Sequence, residues 1–377
     1  MKTRVLITGG GTGGHVYPAI ATMEALQEQG AFEFLYVGGK GGIETRIIPE
    51  RGIPLRTIWI AGFQRYWTWK NFLFPIKLLV SLMQSWWILK QFRPQLAIGT
   101  GGYVTGPVLF MAARMGIPVL IEEQDVHPGV TTRLLARHAR KICVAFEGTR
   151  EALKDVAEKV VVTGNPVRRD LTRVSRQAAR EQWGFREQSL VVFIFGGSQG
   201  AQSINRAMAQ LLPTLLQEFD MEVLWQTGAR NYATVQQLRQ WPEDRVRVVP
   251  YVKEMAAAYA AADLIVARAG AITLAELALV QKPAILVPYP HAAGNHQEHN
   301  ARFIASRCAA VVVTEREGWE AELLHQLKAL LGDAERRQQM ARSWKALARP
   351  DAARKIAHIA IELLKTQQPN PTMTEVR

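Results

Sequence analysis

Three short glycine-rich stretches carry the first chemical signal in this chain. They are Thr8-Gly9-Gly10-Gly11-Thr12-Gly13-Gly14-His15, Gly99-Thr100-Gly101-Gly102-Tyr103 and Gly196-Gly197-Ser198-Gln199-Gly200-Ala201, and each follows a short apolar run. A glycine loop between a strand and a helix turns backbone N–H groups and a helix N-terminus toward one point, which suits a phosphate or diphosphate. One such loop alone reads equally well as a tight turn. Three in equivalent positions predict a site for at least one diphosphate. Gly9, Gly11 and Gly14 also satisfy G-x-G-x-x-G, but a dinucleotide site wants an acid at the end of the second strand, about 20 residues on. Here that strand ends Tyr36-Val37-Gly38-Gly39-Lys40, so the diphosphate expected is not that of NAD.

Polar residues stand at further loop positions. Arg168, in Gly164-Asn165-Pro166-Val167-Arg168, suits bidentate phosphate recognition, against a surface ion pair as the plainer reading. Glu276, in Arg268–Glu276, can accept hydrogen bonds from a ribose or can simply be a favourable charge near a helix N-terminus. Asn295-His296-Gln297-Glu298-His299-Asn300 can face a sugar. No D-x-D pair occurs in the chain, so a donor diphosphate held by a metal between paired carboxylates is not expected. Cys143 and Cys308 lie far apart in apolar segments, and both read as buried, reduced thiols of a cytosolic protein.

These residues need elements to hold them. Arg4–Thr8, Glu33–Val37, Leu96–Gly99, Val119–Glu122 and Lys141–Ala145 read as buried parallel strands alternating with helices. A second set, Val191–Phe195, Glu222–Gln226, Val246–Pro250, Leu264–Ala267, Ala284–Val287 and Ala310–Val313, repeats the pattern after the Gly164–Pro166 break. The expected fold is α/β: two Rossmann-like, doubly wound domains facing a cleft at the carboxyl ends of their sheets. We place the first domain at 1–163, the second at 164–348, a final amphipathic helix at 349–366 and a disordered tail at 367–377.

The 377 residues carry a net charge of +13, from 46 Lys+Arg against 33 Asp+Glu, which suggests an anionic partner. From Arg51 to Ile121 there is no Asp or Glu, while Arg51, Arg56, Arg65, Lys70, Lys77, Lys90, Arg93 and Arg114 interleave with Trp59, Trp67, Trp69, Trp86 and Trp87. That mixture fits an interfacial patch on anionic lipid better than nucleic acid, whose recognised modules are absent. Ile76–Gln91 reads as a helix with Lys77, Ser81, Gln84 and Ser85 on one face and Leu79, Leu82, Met83, Trp86 and Leu89 on the other. Its apolar run falls short of the roughly 20 residues a span needs. The N-terminus shows no signal-peptide pattern, so a peripheral protein inside the cell is expected.

Together the loops resemble the MurG family of N-acetylglucosaminyltransferases, over nearly the whole chain. The resemblance rests on Gly9–His15, Gly99–Tyr103, Glu123-Gln124, Gly164–Arg168, Gly196–Ala201, Met255–Tyr259, Gly270–Glu276 and Gln297 with Asn300-Ala301. It implies the GT-B architecture, with a C-terminal helix crossing back to the N-terminal domain. It implies inverting, metal-free transfer of GlcNAc from UDP-GlcNAc to the muramyl 4-hydroxyl of undecaprenyl-pyrophosphoryl-MurNAc-pentapeptide, giving lipid II at the cytoplasmic face of the membrane. Carried over, the donor set is Thr12, Gly13, Gly14, Asp125, Arg168, Ser198, Gln199, the backbone at Val252, Ala271, Ile272, Thr273, Leu274, Ala275, Glu276 at the ribose and Gln297 at the GlcNAc. The acceptor set is Gly11, Gly13, Gly14, Gly101, Gly102 and Tyr103. His15 is the candidate general base, since imidazole takes a hydroxyl proton near neutral pH.

One position departs from the family. Asn usually follows Glu-Gln, and here Asp125 does, replacing an amide with an acceptor-only carboxylate. Asp125 is then either the base itself or the group that orients His15. A UDP-GlcNAc epimerase, or a lipid glycosyltransferase with another acceptor, remains as the alternative on the same fold.

Overall fold

The computed structural model describes residues 2–60, 73–168 and 170–366. They form two compact units, Met1–Val167 with Asp351–Arg377, and Arg168–Pro350. Arg65, Trp67, Trp69, Lys70 and the tail after Gln367 lie outside the described residues.

The first unit is built on a seven-stranded parallel sheet in the order β3-β2-β1-β4-β5-β6-β7. Its strands are β1 (Thr3–Thr8), β2 (Phe32–Gly39), β3 (Leu55–Ile58), β4 (Leu96–Gly99), β5 (Val119–Glu123), β6 (Lys141–Val144) and β7 (Val160–Val162). The strands read from the sequence are all present. β3 and β7 are additions, short edge strands whose apolar runs are too brief to stand out from a loop. The helices used below are α1 (Gly13–Gln27), α2 (Glu44–Glu50), α3 (Phe74–Phe92), α4 (Thr105–Arg114) and α5 (Val130–Leu135). One core lies under α3, α4 and α5, around Val108, Leu109 and Ile121. Another lies under α1, around Ile20, Tyr36 and Leu120.

The second unit has a six-stranded parallel sheet, β10-β9-β8-β11-β12-β13. Its strands are β8 (Leu190–Phe195), β9 (Met221–Gln226), β10 (Val246–Val249), β11 (Leu264–Ala267), β12 (Ala284–Leu286) and β13 (Ala310–Val312). Among its helices are α6 (Gln202–Glu218), α7 (Met255–Ala261), α8 (Ala271–Val280) and α9 (His296–Ala305), and the chain then returns to the first unit as α10 (Ala352–Lys365). Ala353, Ile356, Ala357 and Ala360 of α10 complete the core beneath α1.

One expectation needs correction. Cys143 is buried on β6, but Cys308 is exposed. It sits past the end of α9 at φ 57°, in the turn before β13, so its apolar neighbours in sequence do not enclose it. The helix α3 leaves most of the apolar face read from the sequence uncovered, though Leu89 of that face is buried. Ser81 and Ser85 are 0% and 1% exposed, whereas Leu79, Met83 and Trp86 are 62%, 64% and 43% exposed. The two serines satisfy their own hydroxyls by donating to Leu78 O and Ser81 O, each at 2.7 Å. Ser81 and Ser85 share the buried side of α3 with Ile88 and Leu89, on the side that packs against α4, and the other large apolar residues face outward.

Candidate active site

In both sheets the strand order reverses once, between β1 and β4 and between β8 and β11. Such a switch point splays the following loops apart and makes the crevice where open α/β sheets bind ligands. The glycine loops are the segments leaving these strands: Gly9–Gly14 after β1, Gly99–Tyr103 after β4, and Gly196–Ala201 after β8. Arg268–Gly270 leaves β11 and opens α8.

In the first unit the loops after β1 and β4 touch. Gly10 N–H donates to Gly101 O at 3.3 Å. A Cβ on Gly102 would stand 2.3 Å from Gly10 O, and one on Gly101 would stand 2.6 Å from His15 Nδ1. Both glycines have positive φ, 84° and 100°, so no other residue permits this approach. Thr12 is the residue before α1, with Gly13, Gly14 and His15 in its first turn.

His15 Nδ1 lies 3.0 Å from Thr100 O and 3.1 Å from Gln124 Oε1. Both partners are oxygen acceptors, so Nδ1 carries the proton and the lone pair is on Nε2. Gln124 is itself held: its Nε2 donates to Thr100 O at 2.7 Å and to the Glu122 carboxyl. Burial pushes the Glu122 pKa well above the ordinary carboxylate range, with the hydrogen bond from Gln124 pulling it back. Glu123 is pushed up to about 7 by burial and by the charge of Asp125. It accepts from Asp125 N–H at 3.1 Å and Gly129 N–H at 3.0 Å, so it shapes the loop that carries Asp125. Asp125 O in turn accepts from Thr149 Oγ1 at 2.9 Å.

In the second unit Ser198 and Gln199 are on the exposed part of the loop between β8 and α6. Gln226, the last residue of β9, joins that loop to Val252. Its Nε2 donates to Gly197 O at 3.0 Å and its Oε1 accepts from Val252 N–H at 2.8 Å. The N–H of Val252 is thus engaged within the protein. Ala271 to Ala275 form the first turn and a half of α8, and Glu276 follows them, buried. Tyr259 Oη donates to Glu276 Oε2 at 2.8 Å. Burial raises Glu276 to about 7, although the Tyr259 hydroxyl and the charge of Arg168 pull it down. Gln297, in α9, accepts from Tyr289 N–H at 2.9 Å, and the buried Asn300 donates to Ala269 O at 3.3 Å.

The sequence residues therefore fall into two groups. Gly11, Thr12, Gly13, Gly14, His15, Gly101, Gly102, Tyr103 and Asp125 belong to the first unit, and Arg168, Ser198, Gln199, Val252, Ala271 to Glu276 and Gln297 to the second. Residues with no role assigned beforehand hold them in place: Thr100 and Gln124 on His15, Gln226 on the third glycine loop, Tyr259 on Glu276. Gln226 was findable as a polar residue closing an apolar strand beside the switch point. The hold of Gln124 on His15 spans 109 positions, and no local pattern signals it.

The match to known proteins covers both units. Residues 5–144 match the model of the glycosyltransferase family 28 N-terminal domain, and residues 191–356 that of its C-terminal domain. A UDP-N-acetylglucosamine--N-acetylmuramyl-(pentapeptide) pyrophosphoryl-undecaprenol N-acetylglucosamine transferase of Moorella thermoacetica is 42% identical over 96% of this chain and 100% of its own. The crystal structure of Acinetobacter baumannii MurG is 30% identical, with a TM-score of 0.75 over 96% of this chain and 99% of that one. The chain belongs to the MurG family of glycosyltransferases. Its two parallel-sheet units are those of the GT-B class that MurG shares with other proteins. A UDP-N-acetylglucosamine 2-epimerase structure, at 13% identity, still gives a TM-score of 0.68 over 98% of this chain and 99% of its own. The fold is thus common to MurG enzymes and epimerases, and the sequence separates them.

Proposed function

We propose that this glycosyltransferase moves GlcNAc from UDP-GlcNAc to the 4-hydroxyl of MurNAc in undecaprenyl-pyrophosphoryl-MurNAc-pentapeptide, converting lipid I to lipid II in the last cytoplasmic step of peptidoglycan synthesis. The observation that carries this reading is the identity of 42% along the full length of a relative bearing that name. In the proposed mechanism the second unit holds the donor, with Glu276 accepting from the ribose and Gln297 from the GlcNAc. Arg168, Ser198 and the N-terminus of α8 take the charge of the diphosphate. His15 Nε2 accepts the proton of the 4-hydroxyl as its oxygen attacks the GlcNAc C1. The C1–O bond to the diphosphate breaks on the opposite face, UDP leaves with the electron pair, and the configuration inverts.

No helix among the described residues is long and apolar enough to cross a membrane. We place the chain peripherally on the cytoplasmic face of the inner membrane, on anionic lipid. The support is the outward face of α3, where Leu73, Ile76, Leu79, Met83, Trp86 and Trp87 are exposed. Lys90 lies over the Trp86 ring at 4.8 Å and Lys77 over Trp59 at 5.7 Å. Exposed Val130 and Leu134 on α5, with Arg133 between them, add a second apolar and basic element. Rings and chains of this kind enter the headgroup boundary while cations meet anionic lipid.

The test is mass spectrometry of the lipid after mixing enzyme, UDP-GlcNAc and lipid I. A product heavier by one GlcNAc is expected. UDP released equally with and without the lipid acceptor would favour an epimerase. No catalytic metal is proposed, so turnover on a solubilised acceptor should survive EDTA; a complete loss restored by Mg²⁺ would overturn that part.

A further inference from the structure

The first glycine loop closes on a carboxyl group that belongs to the protein. Glu44, the first residue of α2, is 0% exposed, and its carboxylate points back across the end of β2. Its Oε2 accepts from Gly11 N–H at 3.1 Å and its Oε1 from Gly39 N–H at 2.9 Å. Three glycines make the room for it. A Cβ on Gly10, Gly38 or Gly42 would come within 2.3, 2.5 or 2.3 Å of the Glu44 side chain. Tyr36, also fully buried, closes the same region by donating to Gly9 O at 2.8 Å. Burial first, and then the charge of Glu44, pushes the pKa of Tyr36 far up and that of Tyr103 up.

In a nucleotide-binding loop the glycines let backbone N–H groups close on a ligand phosphate. Here Gly11 N–H is committed to a side chain 33 positions away, and Gly10, Gly38, Gly39 and Gly42 border that side chain. We propose that Glu44 is the resident anion of the first glycine loop and a positioning residue for His15. Its carboxylate stands where such a loop otherwise takes a phosphate, and it holds Gly10 and Gly11 so that α1 starts where His15 can reach Thr100 and Gln124. The loop then offers Gly13, Gly14 and His15 to an uncharged sugar hydroxyl, and the acceptor's diphosphate is recognised elsewhere. The positioning role rests on His15 being the base of the transferase reaction; the resident-anion role does not.

The experiment therefore reads the two separately. In Glu44→Gly, hydrogen exchange at the Gly11 and Gly39 amides should rise well above the parent. Added formate should restore protection, while chloride at equal ionic strength should not. In the same variant kcat should fall by about 10²-fold, the loss typical of a displaced catalytic group, with UDP affinity unchanged by calorimetry. Formate should recover at least a tenth of the parent kcat. Glu44→Gln keeps the volume but presents one N–H donor to another, so it should stay impaired with formate present. Equal exchange at Gly11 and Gly39 in parent and Glu44→Gly would overturn the resident anion. A folded Glu44→Gly with parental kcat, or a loss that formate leaves untouched, would overturn the positioning role. A parent inactive on UDP-GlcNAc and lipid acceptor would sink the proposed reaction, while the exchange data would still decide the anion.

Discussion

At the scale of single residues, the question at His15 is which group takes the proton. Thr100 O and Gln124 Oε1 both lie at Nδ1, which puts the basic lone pair on Nε2. His15→Ala should lower kcat by about 10²–10⁴-fold, the usual contribution of a general base, with the KM for UDP-GlcNAc little changed. Asp125→Asn should be mild in steady-state assays; a crippled Asp125→Asn beside a competent His15→Ala would make the carboxylate the base. Glu276 carries a pH dependence with a definite sign. Its pKa near 7 means that the carboxylate is half protonated at neutral pH before UDP arrives. Ribose hydroxyls donate to the ionised form, so UDP affinity should fall about tenfold from pH 8 to pH 6. Calorimetry at both pH values tests this, with Glu276→Gln as the control that removes the component. Glu276→Ala at pH 8 should cost about 1.5–3 kcal/mol of UDP binding, the range for charge-assisted hydrogen bonds. Unchanged affinity would leave Glu276 as no more than the partner of Tyr259.

Among elements, α3 is the one whose packing bears on the proposed membrane contact. The sequence shows an amphipathic helix, and an isolated amphipathic helix on a globular core turns its apolar face inward. Here Ser81 and Ser85 are inward together with Ile88 and Leu89, while Leu79, Met83 and Trp86 are left exposed. Attraction of basic residues to anionic lipid is worth about 1 kcal/mol each and is screened by salt, whereas apolar insertion is not. Lys90→Glu/Arg114→Glu should therefore bind anionic vesicles less at low salt. Leu79→Ser/Trp86→Ser should lose the binding that survives high salt. Co-sedimentation across a salt series reads both, and parental sedimentation of both folded variants would move the membrane contact off α3.

For the molecule as a whole, the chain crosses between units twice, at Val167–Arg168 and Pro350–Asp351, and α10 belongs by packing to the unit farthest from it in sequence. Ile356 is fully buried beside α1. Ile356→Ala should cost about 2–5 kcal/mol, as a large-to-small change in a closed core does, and the cost should fall on the first unit. Calorimetric unfolding with and without UDP separates the two. The variant should shift the transition of the first unit, while UDP shifts that of the second. A variant that lowers the UDP-sensitive transition instead would mean that the two cores unfold as one.

Much of this was legible in the residues themselves. β4 and β11 carry the bounds read from the sequence, because a parallel strand covered on both faces is a short, nearly continuous apolar run. The glycine loops were visible for a related reason: a positive φ, as at Gly101 and Gly102, is a local demand that few residues other than glycine meet. What stayed hidden was set by contacts across many positions. Gln124 reaches His15, Glu44 closes on Gly11, and Tyr259 meets Glu276. In each case the partner's type is ordinary and only its place in the folded chain gives it a role. The exposed thiol of Cys308 belongs to the same class. Hydrophobicity in a sequence tells what a side chain prefers, but whether it is covered depends on how closely the neighbouring element packs, and that distance is a property of the tertiary structure alone.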